Sequence, residues 1–528
     1  MHARTIVGVS ATVLLVMVAA LIALQWQTRQ DRSAQRLVVY CAAGMQGPVQ
    51  DAIDEYQRYY QQQHGRAVRI DVEYAGSGTL LSRLQVERTG DLYLAGDDSF
   101  IDTARQRGLV DESLPLAAMT PVIALAEGKA DAVRSLQDLI DGDYRVGIGT
   151  PDGTAIGAAT RAALKAAGQW EPLERKAEVT KPTVNDLAGD VKIGAIDAAI
   201  IWNVTARQFG LEYVTDDALG AATGRVEIGV LSSTRQPTAA LHFARFLAAP
   251  EKGLRHFQAH HFDVVEGDRW ADVPEVTFFS GGVNRRAMEP ILEAFQQREG
   301  VRVNTVYQGC GALNAQMAAV HAQDPDHGFP DAYLACDVYY LSPVQDWFEA
   351  KATVSATPIV IVTKKGNPHN IQRLEDLAKP GLRIVVGHPT HCTIGGLTER
   401  LFKAEGLYEA IMPNVVEQQP SSGMMVPPVV SGAADASLAY YTDTLPERDR
   451  LHVVELNHDY ARAVQPFGIA STSKHKHLML RLYQLIGRSQ EIYAELGFGW
   501  ELGRSPDDFQ LVAPAGARPL RIDRGDQR

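Results

Sequence analysis

The chain has 528 residues, 45% hydrophobic and 22% charged, an ordinary globular composition that excludes disorder, collagen and a disulfide-stapled miniprotein. At roughly 150 residues per domain it allows three or four folding units. Lys+Arg 51 against Asp+Glu 63 leaves a net charge of −12, which argues against a nonspecific grip on nucleic acid, and 4 cysteines are too few for a disulfide framework.

Residues 6–24 form an uncharged apolar run preceded by His2 and Arg4. As a helix at about 1.5 Å per residue it nearly spans the hydrocarbon layer. It exceeds the usual core of a cleaved signal, and no Ala-x-Ala site follows. Residues 1–30 are therefore expected to be a retained signal anchor, a membrane-spanning helix with the body exported. Cys41 is not an expected lipid attachment point, because Leu37-Val38-Val39-Tyr40 before it lacks small residues and reads as a strand.

Short apolar strands then alternate with amphipathic helices, the pattern of a mostly parallel sheet covered on both faces. Strands are expected at 36–40, 68–74 and 91–95, and helices at 49–60, 80–87 and 101–108. The apolar run 121–126 would cross into a second lobe. There, strands 145–148 and 198–202 and helices 156–167 and 184–194 follow, before a return through 224–231 and a helix at 238–246. A linker is expected around 263–274, and a loose polar tail over 503–528.

The body is one unit written twice. Gly194-Ala195-Ile196-Asp197-Ala198-Ala199 matches Gly432-Ala433-Ala434-Asp435-Ala436-Ser437, and Asp91-Leu92-Tyr93-Leu94-Ala95-Gly96-Asp97 matches Asp331-Ala332-Tyr333-Leu334-Ala335-Cys336-Asp337. Tyr74-Ala75-Gly76-Ser77-Gly78 matches Tyr307-Gln308-Gly309-Cys310-Gly311, and Gly149-Thr150-Pro151 matches Gly387-His388-Pro389. Four blocks in the same order make a tandem duplication, with copies expected at 36–262 and 275–502.

Ligands in open parallel sheets bind at the carboxyl ends of strands. Small residues open helices there: Ala42-Ala43-Gly44, Gly76-Ser77-Gly78-Thr79 and Gly153-Thr154-Ala155. Such loops let a ligand approach the backbone, where first-turn N–H groups bind an anion without a cation. The competing reading is plain helix-cap chemistry.

On Val39-Tyr40-Cys41-Ala42-Ala43-Gly44, Ala75-Gly76-Ser77-Gly78-Thr79-Leu80, the Asp91–Asp97 block and the Gly194–Trp202 block, each copy resembles a molybdate-type periplasmic solute-binding protein of an ABC transporter. The resemblance implies an α/β fold of two tandem bilobal type II periplasmic-binding-protein units, each with two mostly parallel sheets flanked by helices. It also implies a small anionic solute, an ABC permease as partner, a periplasmic or cell-surface location and no cofactor. The family's two loop serines fall on Gly44 and Ser77, and its tyrosine on Trp202. Candidate ligand-binding residues are thus Gly44, Ser77, Gly78, Thr154, Ala155, Val184 and Trp202 in copy one. In copy two they are Ser280, Gly281, Cys310, Gly311, Cys392, Thr393, Ser422 and Tyr440.

Copy two departs from copy one in its thiols: Cys310 stands at Ser77, Cys336 at Gly96 and Cys392 at Thr154, with His391 beside it. Together with Met424 and Met425 these soft ligands suit Cu(I) or Zn(II). A disulfide, plain buried thiols and an anion site with thiols for hydroxyls remain open alternatives. The Tyr440-Tyr441 pair resembles the adjacent tyrosine ligands of related ferric-iron-binding proteins. His256, His260, His261, His475 and His477 read as solvated surface. Gly-x-Ser-x-Gly, His-Glu-x-x-His and the phosphate-binding Gly-x-x-x-x-Gly-Lys-Ser/Thr are all missing from the sequence, so the chain is not expected to be an enzyme.

Overall fold

The computed structural model describes residues 35–324 and 327–504. The expected anchor at 6–24 and nearly all of the tail lie outside these residues. Among the described residues no helix is long and apolar enough to cross a membrane. The chain divides into two compact units, the first ending at Trp270 and the second beginning at Ala271.

Unit one has two sheets. The strands are β1 (Gln35–Ala42), β2 (Val68–Ala75), β3 (Leu92–Ala95), β4 (Val110–Met119), β5 (Pro121–Leu125), β6 (Val146–Gly149), β7 (Ala177–Lys181), β8 (Ala198–Trp202), β9 (Glu212–Val214), β10 (Gly224–Leu231) and β11 (Asp263–Val264). The first lobe has the order β11-β4-β10-β3-β1-β2 and the second β7-β6-β8-β5-β9. Helices cover both faces, so β3, β5, β6 and β8 are buried at every position and read as unbroken apolar runs.

These sheets are mixed, which corrects the expectation of mostly parallel ones. β1 pairs parallel with β2 and β3, but β10 runs antiparallel to β3 and β4, and β5 antiparallel to β8 and β9. The chain leaves the first lobe through β4 and β5 and returns through β10, and a returning strand must enter its sheet reversed. The segment expected as a linker is partly absorbed into unit one. Asp263 and Val264 pair with Ala118 and Ala117, and Trp270 packs edge-on against Phe246 at 5.1 Å and Tyr59 at 5.6 Å.

Unit two repeats the plan with strands β12 (Glu275–Gly281), β13 (Arg302–Gln308), β14 (Ala332–Leu334), β15 (Phe348–Lys364), β16 (Ile384–Gly387), β17 (Val415–Gln419), β18 (Ala436–Tyr440), β19 (Leu451–Glu455), β20 (Arg462–Ala470) and β21 (Gly499–Trp500). Here β15 runs unbroken through the place where unit one has β4, Thr120 and β5. The two lobes therefore share one sheet path, β13-β12-β14-β20-β15-β18-β16-β17, with β19 and β21 also paired to β15.

The repeated acidic blocks prove to be scaffolding. Asp197 accepts from the Arg145 backbone N–H at 2.9 Å and from its guanidinium at 3.2 Å, while Arg145 also donates to the Gly194 carbonyl at 2.9 Å. Asp435 and Arg383 repeat the set with the Gly432 carbonyl at 3.0 Å. The arginine holds each carboxyl below the usual carboxylate range. Asp91 ties the Val38 N–H at 2.9 Å to the Thr234 hydroxyl at 2.6 Å. Asp331 does the same with Thr277 at 2.8 Å and Ser473 at 2.7 Å.

Candidate functional site

In each unit the loops at the strand ends of one lobe meet those of the other. The N–H groups of Gly78 and Thr79, at the start of helix Ser77–Glu87, donate across the cleft to the Gly153 carbonyl at 3.1 and 3.2 Å. The Asn185 side chain donates to the Ala43 carbonyl at 3.0 Å. A Cβ on Gly76 would lie 2.2 Å from the Gly153 oxygen, and one on Gly78 would lie 2.0 Å from the Asp152 oxygen. In unit two a Cβ on Gly309 or Gly311 would meet the His391 or Thr390 carbonyl at 2.2 or 2.1 Å. The Gly-x-Gly loops are thus glycine because two backbones press together there, and both clefts are closed.

The copy-one cleft holds about 20 Å³ of space for water centres, room for one or two waters. Of the candidate residues, Gly44, Ser77, Thr154, Ala155, Val184 and Trp202 line it; Gly78 does not, since its N–H serves the clasp. The Ser77 hydroxyl accepts from the Gly96 N–H at 3.1 Å, which leaves its own proton to donate. Thr154 is the N-cap of helix Ala155–Ala166: it accepts from the Gly157 N–H and donates to the Thr150 carbonyl, both at 3.0 Å. Its hydroxyl is consumed by capping, whereas the N–H groups of Ala155 and Ile156 have no acceptor within the helix. The rest of the lining is small or apolar, and Trp202 closes it. Next to it, Thr205 is a buried hydroxyl without a partner, overlooked in the sequence although the matching position in copy two, Asp443, is also polar.

Copy two keeps the frame and changes the chemistry. Cys310 accepts from the Cys336 N–H at 3.1 Å, the same bond that Ser77 makes to Gly96. Cys310 and Cys336 lie with their sulfurs 2.9 Å apart, unbonded and buried. Cys392 takes the N-cap place of Thr154 without capping, and burial pushes its thiol up to about 11. Polar residues replace the apolar lining: Asn284 stands for Met45, Thr393 for Ala155, Ser422 for Val184 and Tyr440 for Trp202, and a carboxyl, Asp443, stands for the neighbouring Thr205 hydroxyl. The Tyr440 hydroxyl, Asn284 Oδ1 and Asp443 Oδ2 are buried without partners. Burial pushes the Asp443 carboxyl up to about 6 against the pull of Ser422 and Arg286.

Four expectations need correction. Ser280 is not a loop residue: it pairs with Leu334 on β12 as Cys41 pairs with Leu94 on β1, and its hydroxyl donates to the Gly281 carbonyl at 3.4 Å. Val283 therefore stands at the place of Gly44. Among the described residues, Cys310, Cys336, Cys392 and His391 do not assemble as a three-ligand cluster, since no three of their ligand atoms lie within 4.8 Å of one another. His391 is exposed and stacked on His388 at 4.1 Å, Met424 is 46% exposed and Met425 lies in the core. The tyrosine pair diverges, with Tyr441 packed on Gly497. His256 and His260 are not merely solvated, for they bond Glu55 at 2.7 Å and Asp51 at 2.8 Å.

Two lobes joined by crossing strands and closed over small-residue loops define a bilobal binding domain, present twice. The model of the family "Bacterial extracellular solute-binding protein" matches residues 37–263 and again 276–499, and the chain belongs to that family. A Haemophilus influenzae protein, "Putative binding protein", is 28% identical over 234 residues, 43% of this chain and 91% of that one. "Molybdate-binding protein ModA" of Mycobacterium bovis is 28% identical over 179 residues, 32% of this chain and 62% of that relative. Among solved structures, the Azotobacter vinelandii periplasmic molybdate-binding protein is 16% identical with a TM-score of 0.34, over 42% of this chain and 98% of that one.

Proposed function

We propose that the chain is a membrane-tethered, extracytoplasmic binding protein that closes its lobes around a small oxyanion of the molybdate or tungstate type and presents it to an ABC permease. The observation that carries this reading is the closed cleft of copy one, where the Ser77 hydroxyl and the first-turn N–H groups of Ala155 and Ile156 face one space. Both relatives named as binding proteins support it. Copy two is the stronger binder in this reading, because it offers Tyr440, Thr393 and Asn284 where copy one offers Trp202, Ala155 and Met45. Hinge opening admits the solute and closure buries it.

The test is isothermal titration of the full chain with molybdate, tungstate, sulfate and phosphate, and with Zn(II) and Cu(I) as controls. An oxyanion should bind, and Tyr440→Phe should weaken it about tenfold, the worth of one buried hydrogen bond to a charged group. Heat from metals alone would overturn the proposal.

A further inference from the structure

Solute binding does not account for the paired thiols. Cys310 and Cys336 are 0% and 4% exposed, and their sulfurs, 2.9 Å apart, need to close by less than about 1 Å to reach the ~2.05 Å of a disulfide. The fold itself does not require sulfur there, since Ser77 and Gly96 hold the same backbone bond at 3.1 Å in copy one. A third position moves with them. Copy one has Ala42 where copy two has Gly281, and a Cβ at Gly281 would lie 2.1 Å from the Cys336 sulfur and 2.8 Å from that of Cys310. Copy two has given up a methyl group to seat two sulfurs side by side.

We propose that Cys310 and Cys336 are a redox pair that forms a reversible disulfide at the floor of the copy-two cleft. The Cys336 N–H and thiol beside Cys310, with the buried hydroxyls of Tyr333 and Thr393 nearby, favour the thiolate on Cys310 despite burial, while the Cys310 neighbour and burial keep the proton on Cys336. The oxidant is a small-molecule disulfide. The Cys310 thiolate attacks one of its sulfurs, forming a mixed disulfide and expelling one thiolate. That thiolate takes the Cys336 proton, and the Cys336 thiolate then attacks the Cys310 sulfur and expels the second thiolate, which takes a proton from water. Two cysteines lose two electrons, and one disulfide becomes two thiols. The Gly309 and Gly311 clasp covers the pair, so exchange on the folded protein proceeds while the lobes are apart. Cys41 and Cys392 have no sulfur neighbour at bonding range and serve as internal controls.

The experiment treats the full chain with oxidised glutathione, both as the folded protein and during refolding from denaturant, then alkylates and maps it without reduction. No Lys or Arg lies between Arg302 and Lys351, so cleavage before Asp324 and Asp331 is used to part the two cysteines. The expected result is a cross-link of the Cys310 and Cys336 peptides, a loss of two of the four thiols, and full reversal by dithiothreitol. Cys310→Ser, which copies Ser77, and Cys336→Ala should each abolish the cross-link while Cys41 and Cys392 stay alkylable. Four free thiols under both conditions, glutathione adducts alone, or a cross-link through Cys392 would overturn it. None of these readouts depends on which solute is bound.

Discussion

Asp443 and Thr205 occupy one position in two copies, and a single carboxyl changes what each cleft tolerates. Burial raises Asp443 to about 6, so folding favours its protonated form. The stability contribution is complete below the unfolded value of ~3.9 and is lost as pH rises through about 6. Asp443→Asn should therefore raise the melting temperature at pH 7, by the equivalent of about 1–3 kcal/mol, and leave it unchanged at pH 4. A dianion meets a charged Asp443 above pH 6 and a neutral one below, so binding in copy two should tighten on acidification. Titrations at pH 5 and pH 7.5 check this, and Asp443→Thr should remove the difference. Asp197 behaves oppositely: Arg145 lowers its carboxyl, so its contribution is present at neutral pH and fades only in strong acid. Replacing it with Asn should cost about 1–3 kcal/mol in urea denaturation.

At the scale of elements, the clasp between Gly-x-Gly loop and opposing carbonyl governs closure. Gly311→Ala places a methyl 2.1 Å from the Thr390 oxygen, which holds the copy-two lobes apart while leaving each sheet intact. Solute affinity should fall at least tenfold with little change in far-ultraviolet dichroism. The duplication made much of this legible in sequence: β8 and β10 have the expected bounds, and helix Val184–Lys192 and helix Pro237–Leu247 lie within two residues of them. The meaning of the repeated blocks was not legible. Asp97, Asp197 and Asp435 recur because they cap a helix or anchor an arginine, and a repeated acid looks the same whether it holds backbone or ligand. Ser280 was misplaced for a different reason. Its neighbours share no identity with copy one, and only pairing with β14 fixes the register, where a slip of one residue turns a side chain to the other face. That thiols gather in copy two is legible from their matching positions, but which two touch is not, because Cys310 and Cys336 meet only when helix Cys310–Gln323 and the end of β14 are placed together.

For the whole molecule, the two units have separate cores. One cluster centres on Leu37, Val122 and Phe243 and another on Phe278, Ile361 and Leu482. Fragments 35–270 and 271–504, expressed apart, should each unfold cooperatively in calorimetry. A fragment that stays unfolded would show that one copy templates the other.

The crossing strands set a mechanical difference between the copies. In copy one the ribbon breaks at Thr120, whose N–H and carbonyl are both taken by Asn203, through Oδ1 at 3.1 Å and N–H at 2.8 Å. In copy two, Pro358 and Tyr441 stand at those positions, so neither the donor nor the side-chain acceptor of this latch exists. β15 instead stays one extended strand through this point, changing partner from β20 at Pro358 to β18 at Ile359. Copy one is pinned by one pair of bonds, and swinging of its lobes would need that pair to let go. Copy two lacks such a pin, and its lobes can part only as the single strand β15 flexes. The two clefts of one chain are therefore expected to open by different motions, release of the latch in copy one and flexing of β15 in copy two.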